Sequence, residues 1–465
     1  EMCIIERYWD ESNHRPAENS PFYNPIPKHD FNVFNDMNHE SLDSKKYIGR
    51  AIRYWLEEFN IDGYRFDLSK GFTQNNTLGD SDAMAQYDQT RINILWAYAD
   101  TAWSVNPDAY VILEHFAYNS EERVLSDYGM MIWGNSNYNY SEATMSYNEN
   151  GKSDFSWISY QERNWGNPLV MGYMESHDEE RLMYKNVRHG KVTSSYSVRD
   201  TTIALKRQAL AGNFFFTIPG PKMIWQFGEM GYDYSKFYDI ATDSVHVGND
   251  DVKLRPKPIR WDYFEDYRRR DLYYTWQALI DLKKTQDVFK TENFELDVAD
   301  SMKKIKLDSP NMKVVVLGNF GVAEGEIDPE FYSIGTWYDL WTGDSIEVND
   351  VNEKIMLQAG EYRLYTNKKL TTPEVVGVED NAFEDQSFKL GLYPNPAKSQ
   401  LRVVIENDRH LSNADIYFYD MIGKKVKEIK GIQMNKGLNQ ITTDVQGMNP
   451  GIYFVRVESG NKSIT

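Results

Sequence analysis

The chain reads as an α/β protein whose parallel sheet is followed by two antiparallel β units. Three observations carry this. Between about residues 40 and 285, helical periodicity alternates with short apolar runs, the pattern of strands joined by crossover helices. From about 287 to 366 the helical periodicity stops, and short strands with Gly- or Asp-containing turns take over. A stretch poor in large apolar residues, 367–387, reads as a linker, and a second run of strands follows it.

Taken in order, residues 1 to about 40 are polar and aromatic, with Pro16, Pro21, Pro25 and Pro27, and read as an irregular excursion. The segment KKYIGRAIRYWLEEFN puts Ile48, Ile52, Trp55, Leu56 and Phe59 on one helical face. Two further helices are predicted, in DQTRINILWAYADTAWSVNP and in RRDLYYTWQALIDLKK. The parallel strands are IDGYRF, AYVILE, YGMMIWG, PLVMGYME and KMIWQF. In the first β unit the strands are KKIKLD, MKVVVLGNF, TWYDLWTG, EKIMLQ and EYRLYTN.

Composition bounds the function. With 465 residues, 41% hydrophobic and 26% charged, the chain is a folded protein of two or three domains. A net charge of −19 argues against a nucleic-acid partner, because phosphates need a basic patch. Cys3 is the single cysteine, so no disulfide forms within the chain. No apolar run is long enough to span a bilayer; GNFFFTIPGPKMIWQFG comes nearest and is broken by Pro219, Gly220 and Pro221.

Parallel α/β barrels gather their chemistry at the C-terminal ends of the strands. Three strands here end in ionisable residues: GYRFD at Asp67, YVILE at Glu114, and VMGYMESHD at His177 and Asp178. Alone, a strand-end acid is more often a helix cap or turn residue than a catalyst. Arg65 with Asp67 then reads as a structural ion pair, and His177 as a core histidine. Three acids on three strands, with an Arg and a His beside two of them, point to a site. Two close carboxylates of different pKa fit retaining glycoside hydrolysis. Arg65 lies two residues before Asp67 on the same strand face, which holds Asp67 ionised. Glu114 follows Val111, Ile112 and Leu113, which suits a protonated acid.

GYRFDLSK, ILEHF, ESHDEER and FFFTIPGPKMIWQFGEMG together resemble the fourth-, fifth-, seventh- and eighth-strand motifs of the alpha-amylase family, glycoside hydrolase family 13. The likeness covers roughly residues 30 to 366. It implies a (β/α)8 TIM-type barrel whose N-terminal strands are missing here, then an antiparallel β domain and a small C-terminal β-sandwich. The implied divisions are 1–35, the remnant of an excursion domain; 36–286, the barrel; 287–368, the all-β domain; 369–387, the linker; and 388–465. It also implies roles. Asp67 is the nucleophile, Glu114 the general acid and then base, and Asp178 the carboxylate that holds the sugar 2- and 3-hydroxyls. Arg65 orients Asp67, His177 contacts the sugar at the cleaved bond, and Lys70 lines the acceptor side.

The chain departs from the family in places. Ser176 stands for the usual Asn, and Phe116 is the aromatic two residues after the acid. Gly71 replaces a His whose carbonyl binds calcium; a glycine carbonyl can still serve, and Asp36 in FNDMNHE is the implied second calcium ligand. The family's third-strand motif has no counterpart. It is expected upstream of Glu1, and the chain expressed alone is expected to be insoluble or inactive. Trp133, Tyr138 and Trp165 are expected in loops after strands, and Trp133 is the sugar-stacking candidate.

LYPNPAKSQLRVVI, IYFYDMIGKKV and NPGIYFVRVESG resemble the C-terminal sorting domain of the type IX secretion system. This implies export from a Gram-negative bacterium, with the secretion machinery as partner. The expected activity is hydrolysis of α-glucans, with debranching, α-glucosidase or transglycosylase action as alternatives. A non-catalytic surface protein that binds glycans is the alternative of another class.

Overall fold

The computed structural model describes residues 8–373, 388–394, 397–407, 410–421, 423–459 and 462–464. Cys3, linker residues 374–387, and Asn395 and Pro396 of the YPNP motif lie outside them. The chain forms two compact units, Glu1–Val375 and Val376–Thr465.

In the first unit, five parallel strands lie side by side in chain order: β1 (Gly63–Phe66), β2 (Tyr110–Leu113), β3 (Met131–Asn135), β4 (Val170–Tyr173) and β5 (Lys222–Met223). All five were expected from apolar runs. Phe66 pairs with Leu113, and Tyr173 pairs with Asn135 and Met223. Asp67 and Glu114 therefore leave the sheet at the same level. The principal helices are α1 (Leu42–Phe59), α2 (Gln89–Trp103), α3 (Asn119–Tyr128), α4 (Asn137–Met145), α5 (Leu182–His189), α6 (Thr201–Thr217) and α7 (Tyr267–Thr285).

Capping side chains start several of these helices. Ser41 accepts from the Asp43 N–H, Asp88 from Thr90 and Arg91, and Asp200 from Thr202 and Ile203. On α1, Ile52 and Leu56 enter the core, whereas Trp55 and Phe59 are exposed and packed on each other at 4.6 Å. The predicted apolar face of α1 is thus wider than the face the described residues cover.

Helices α3 to α6 were not legible in the sequence. For α6 the reason is burial on every side. From Ala204 to Thr217 only Lys206 is exposed, so no polar face marks the helical period. The apolar run Phe214–Phe216 ends this helix. Arg207, fully buried inside it, donates to the carbonyls of Ala143, Thr144, Phe320 and Gly321.

Phe320 and Gly321 directly follow β8 of an antiparallel sheet formed by β6 (Asn293–Asp297), β7 (Met302–Asp308), β8 (Lys313–Asn319), β9 (Gly335–Asp339), β10 (Ser345–Val348) and β11 (Tyr362–Thr366). Its spatial order is β6-β7-β8-β11-β9-β10. Alternation along β8 splits its side chains between two cores. Val314 and Val316 join the core shared with the helices, while Val315 and Leu317 face Trp337, Leu357 and Tyr365.

In the second unit, Phe388–Tyr393, Gln400–Asn407 and Gly437–Asp444 form one antiparallel sheet. Lys425–Met434, Leu411–Asp420, Tyr453–Ser459 and Lys462–Ile464 form another. Val403 and Ile405 of the first sheet share one apolar core with Ile416, Phe418 and Val457 of the second.

Gly63 opens β1 where the backbones of β1 and β2 nearly touch. A Cβ there would lie 2.1 Å from the Tyr110 carbonyl oxygen. Gly63→Ala is expected to lower unfolding stability by ~1–3 kcal/mol, read by urea denaturation, because backbone cannot yield as a side chain can.

Candidate active site

The strand ends bring Arg65, Asp67 and Glu114 together. Arg65 lies between the two acids: Nη1 donates to Asp67 Oδ1 at 2.6 Å and Nη2 to Glu114 Oε2 at 2.6 Å. The acids differ in exposure, with 74% of the Asp67 side chain accessible and 11% of Glu114. Burial pushes the Glu114 carboxyl up, helped by the neighbouring Asp67, against the opposing pull of the Leu68 N–H and Arg65. Leu68 adopts the left-handed conformation (φ 41°) rarely taken by a leucine, which aims its N–H at Glu114 Oε2 at 3.1 Å.

Beneath Arg65 lies Trp133. The guanidinium carbon is 4.2 Å from the ring centroid, a cation–π contact. Trp133 sits inside β3 rather than in a loop after it, is buried, and has one face covered by Arg65. It is a platform for the arginine, which corrects its expected place as an open sugar-stacking ring. Trp165, also expected to be loop-exposed, is buried and donates to Asn119.

The Trp133 ring also meets His177, at 6.3 Å, and so joins the seventh-strand motif to the pair of acids. His177 Nε2 is 3.3 Å from Asp178 Oδ2. Partial burial would raise the Asp178 carboxyl. The hydrogen bond from Lys253 and the charges of His177, Lys253 and Lys236 outweigh it and hold the group below the usual carboxylate range. Ser176, in the position of the usual Asn, accepts from the Asp178 N–H at 3.1 Å and donates to Glu179. Lys70 is half-buried beside the pair, its Nζ donating to the Phe116 carbonyl at 3.3 Å. Burial pushes its ammonium down, as does the charge of Arg91.

Sequence reasoning missed Lys253 and Lys236. Lys253 Nζ lies 2.6 Å from Asp178 Oδ1, and Lys236 donates to the Asp178 carbonyl. Both come from the segment between β5 and α7, where Lys253 ends a four-residue helix, Asp250–Lys253, too short for a period to be read. The Leu68 N–H was also missed, because a backbone donor leaves no trace in residue type.

The expected calcium ligands, Asp36 and the Gly71 carbonyl, do lie close together, but His29 stands between them. Its Nδ1 accepts the Phe31 N–H at 3.2 Å, so the ring proton is on Nε2. That nitrogen lies 3.7 Å from Asp36 Oδ1 and hydrogen-bonds the Gly71 backbone. A Cβ on Gly71 would lie 2.9 Å from it. Asp36 Oδ2 already accepts from Asn24 and from the Lys28 N–H, each at 2.8 Å. A ring N–H fills the space between the two oxygens, so the pair as arranged does not fit calcium.

Thermal unfolding of the chain is therefore expected to give one midpoint in EDTA and in calcium. His29→Ala should cost ~1–3 kcal/mol, since Asp36 loses a facing donor. A midpoint that rises with calcium would restore the ion.

Residues 17–268 match the family described as "Alpha amylase, catalytic domain", and residues 391–465 match the "Secretion system C-terminal sorting domain". A pullulanase of Bacillus subtilis (strain 168) is 40% identical over 63 residues, 11% of this chain and 9% of that protein. A cyclomaltodextrinase of Bacillus sp is 22% identical over 310 residues, 63% of this chain and 46% of that protein. The chain thus spans less than half the length of these curated relatives. The structure of an alpha-amylase from Geobacillus thermoleovorans, complexed with acarbose, has a TM-score of 0.52 at 15% identity, covering 77% of this chain and 76% of that one; the likeness is one of fold. Among the described residues no helix is long and apolar enough to cross a membrane. The match over residues 17–268 covers more than half of the 465-residue chain, and the chain belongs to the alpha-amylase catalytic-domain family of glycoside hydrolases.

Proposed function

We propose that the chain is a secreted retaining glycoside hydrolase that cleaves α-1,4-glucosidic bonds of starch-like α-glucans. The observation that carries this is the sharing of the Arg65 guanidinium between an exposed Asp67 and a buried Glu114 whose carboxyl is pushed up. Carboxyls bonded to two nitrogens of one guanidinium, one of them raising the other, are near neighbours, which fits the short separation of retaining enzymes (~5 Å).

Asp67 attacks the anomeric carbon while Glu114 gives its proton to the leaving oxygen. The product is a glycosyl ester on Asp67 and a Glu114 carboxylate. That carboxylate then takes a proton from water as the water cleaves the ester. Charge assists the reversal. The Asp67 carboxylate helps to raise Glu114. Once Asp67 is esterified its charge is gone while Arg65 remains, so Glu114 becomes more acidic as its role changes from acid to base. Asp178, held ionised, takes the sugar hydroxyls, with His177 beside it.

A second reading, cleavage of α-1,6 bonds, uses the same acids and is favoured by the stretch shared with the pullulanase. Reducing-end release from amylose and from pullulan separates the two. The sorting domain supports export through type IX machinery to the surface or exterior of a Gram-negative bacterium.

Asp67→Asn is expected to cut turnover about 10^4-fold or more while leaving glucan binding. Unchanged activity would sink the assignment. In the wild type, kcat/KM should fall as pH rises through the raised pKa of Glu114, because the acid must be protonated to act. Glu114→Gln should remove this alkaline limb and lower kcat by about 10^2–10^4-fold.

A further inference from the structure

Ser69, His115, Glu121 and Arg91 are each at most 1% exposed and form one hydrogen-bonded chain. Ser69 Oγ is 2.9 Å from His115 Nδ1, and His115 Nε2 is 2.9 Å from Glu121 Oε1. Hydroxyl, imidazole and carboxylate stand in the order of a nucleophilic triad, but the group is sealed from solvent and its carboxylate is already filled. Arg91 donates to both oxygens of Glu121, at 2.7 and 2.6 Å, and the Asp88 N–H adds a bond of 2.8 Å.

The protonation states follow from the surroundings. Burial pushes the His115 imidazole down, more than Glu121 raises it, so the ring is neutral. Burial would raise Glu121, but hydrogen bonds from His115 and Arg91 prevail and keep it ionised. His115 therefore donates from Nε2 to Glu121 and accepts the Ser69 hydroxyl at Nδ1.

The far end of this chain is the backbone of Glu114. Ser69 N–H donates to the Glu114 carbonyl at 2.8 Å, and Ser69 Oγ lies 3.0 Å from the same oxygen, so the single hydroxyl proton is shared between that carbonyl and His115 Nδ1. The Glu114 N–H is fixed to Phe66 O at 3.0 Å. Arg91 Nη1 also holds the Lys70 carbonyl at 2.8 Å. The network thus fastens the turn Leu68–Lys70 to the end of β2, and that turn supplies the Leu68 N–H that meets the Glu114 carboxyl.

We infer that Ser69, His115, Glu121 and Arg91 are positioning residues that hold Glu114 at the depth and orientation its acid role requires. The catalytic consequence rests on the hydrolase reading above; the positioning does not. The charged and titratable groups facing Glu114 are Arg65 in β1, Asp67 directly after it, Lys70 on the turn and Tyr173 at the end of β4. Of these, Lys70 alone lies on the turn that the network fastens.

The test is Ser69→Ala, with Ser69→Thr restoring a hydroxyl and His115→Asn as a second break in the chain. The Glu114 carboxyl is titrated by NMR in the full chain labelled at glutamate carboxyl carbons and assigned with Glu114→Gln. Expected is a shift of about one unit in its pKa in Ser69→Ala and His115→Asn, recovered in Ser69→Thr. On an α-glucan, kcat should fall ~10-fold or more, with KM within about twofold. Glu114 titrating as in the wild type in both variants overturns the inference. So does failure of both to fold, since the network would then hold the fold rather than the acid. A wild-type chain silent on α-glucans refutes the hydrolase reading instead, and the titration still decides the positioning.

Discussion

The site depends on a single cation placed between two acids of opposite surroundings. Arg65 bonds the exposed Asp67 and the buried Glu114 at once and rests on the face of Trp133. Take the cation away and the two carboxyls would face each other with only their unequal burial to separate their protonation states. The ring beneath fixes where the guanidinium sits and lowers the local polarity around it, so each bond is stronger than in water. The left-handed Leu68, the Leu68 N–H and the sealed Ser69 chain all serve the acid that this arrangement singles out.

Support reaches the site from well outside it. Helix α6 is buried around nearly its whole circumference because it lies between the parallel sheet and the antiparallel one. Its buried Arg207 ties the end of helix α4, at Ala143 and Thr144, to the turn after β8, at Phe320 and Gly321. Lys303 does similar work with the carbonyls of Ser153 and Val298. Buried cations are tolerated here because each is surrounded by backbone acceptors that would otherwise lack partners. On the open side of the site, Lys253 and Lys236 secure the segment between β5 and α7 to Asp178, so that segment is anchored on a functional carboxylate.

Much of this was legible in the residues. The five parallel strands announce themselves as apolar runs, and Asp67, Glu114 and Asp178 stand out because each ends one. Arg65 beside Asp67 followed from the two-residue period of a strand. What stayed hidden has physical causes. Helix α6 has no polar face and so no amphipathic signal. Trp133 was misplaced because an aromatic near a strand end has the same composition whether it is inside the strand or past it. Lys253 is 75 residues from its partner Asp178, at the end of a four-residue helix too short to show a period. His29, which stands between the expected calcium oxygens, is one histidine among eight and carries no local pattern.

The participants of the reactive centre come from three separate strands. Arg65 lies in β1 with Asp67 directly after it, Glu114 directly follows β2 and Trp133 lies in β3, and they meet only because Phe66 lies opposite Leu113 and Leu113 opposite Ile132. A slip of one residue in either pairing would turn a whole strand over and send its side chains to the opposite face. A partly assembled sheet would therefore hold every reactive group and no reactive centre. The geometry of the candidate site is an all-or-none report on strand alignment: a correctly threaded sheet assembles it, and nothing short of that does.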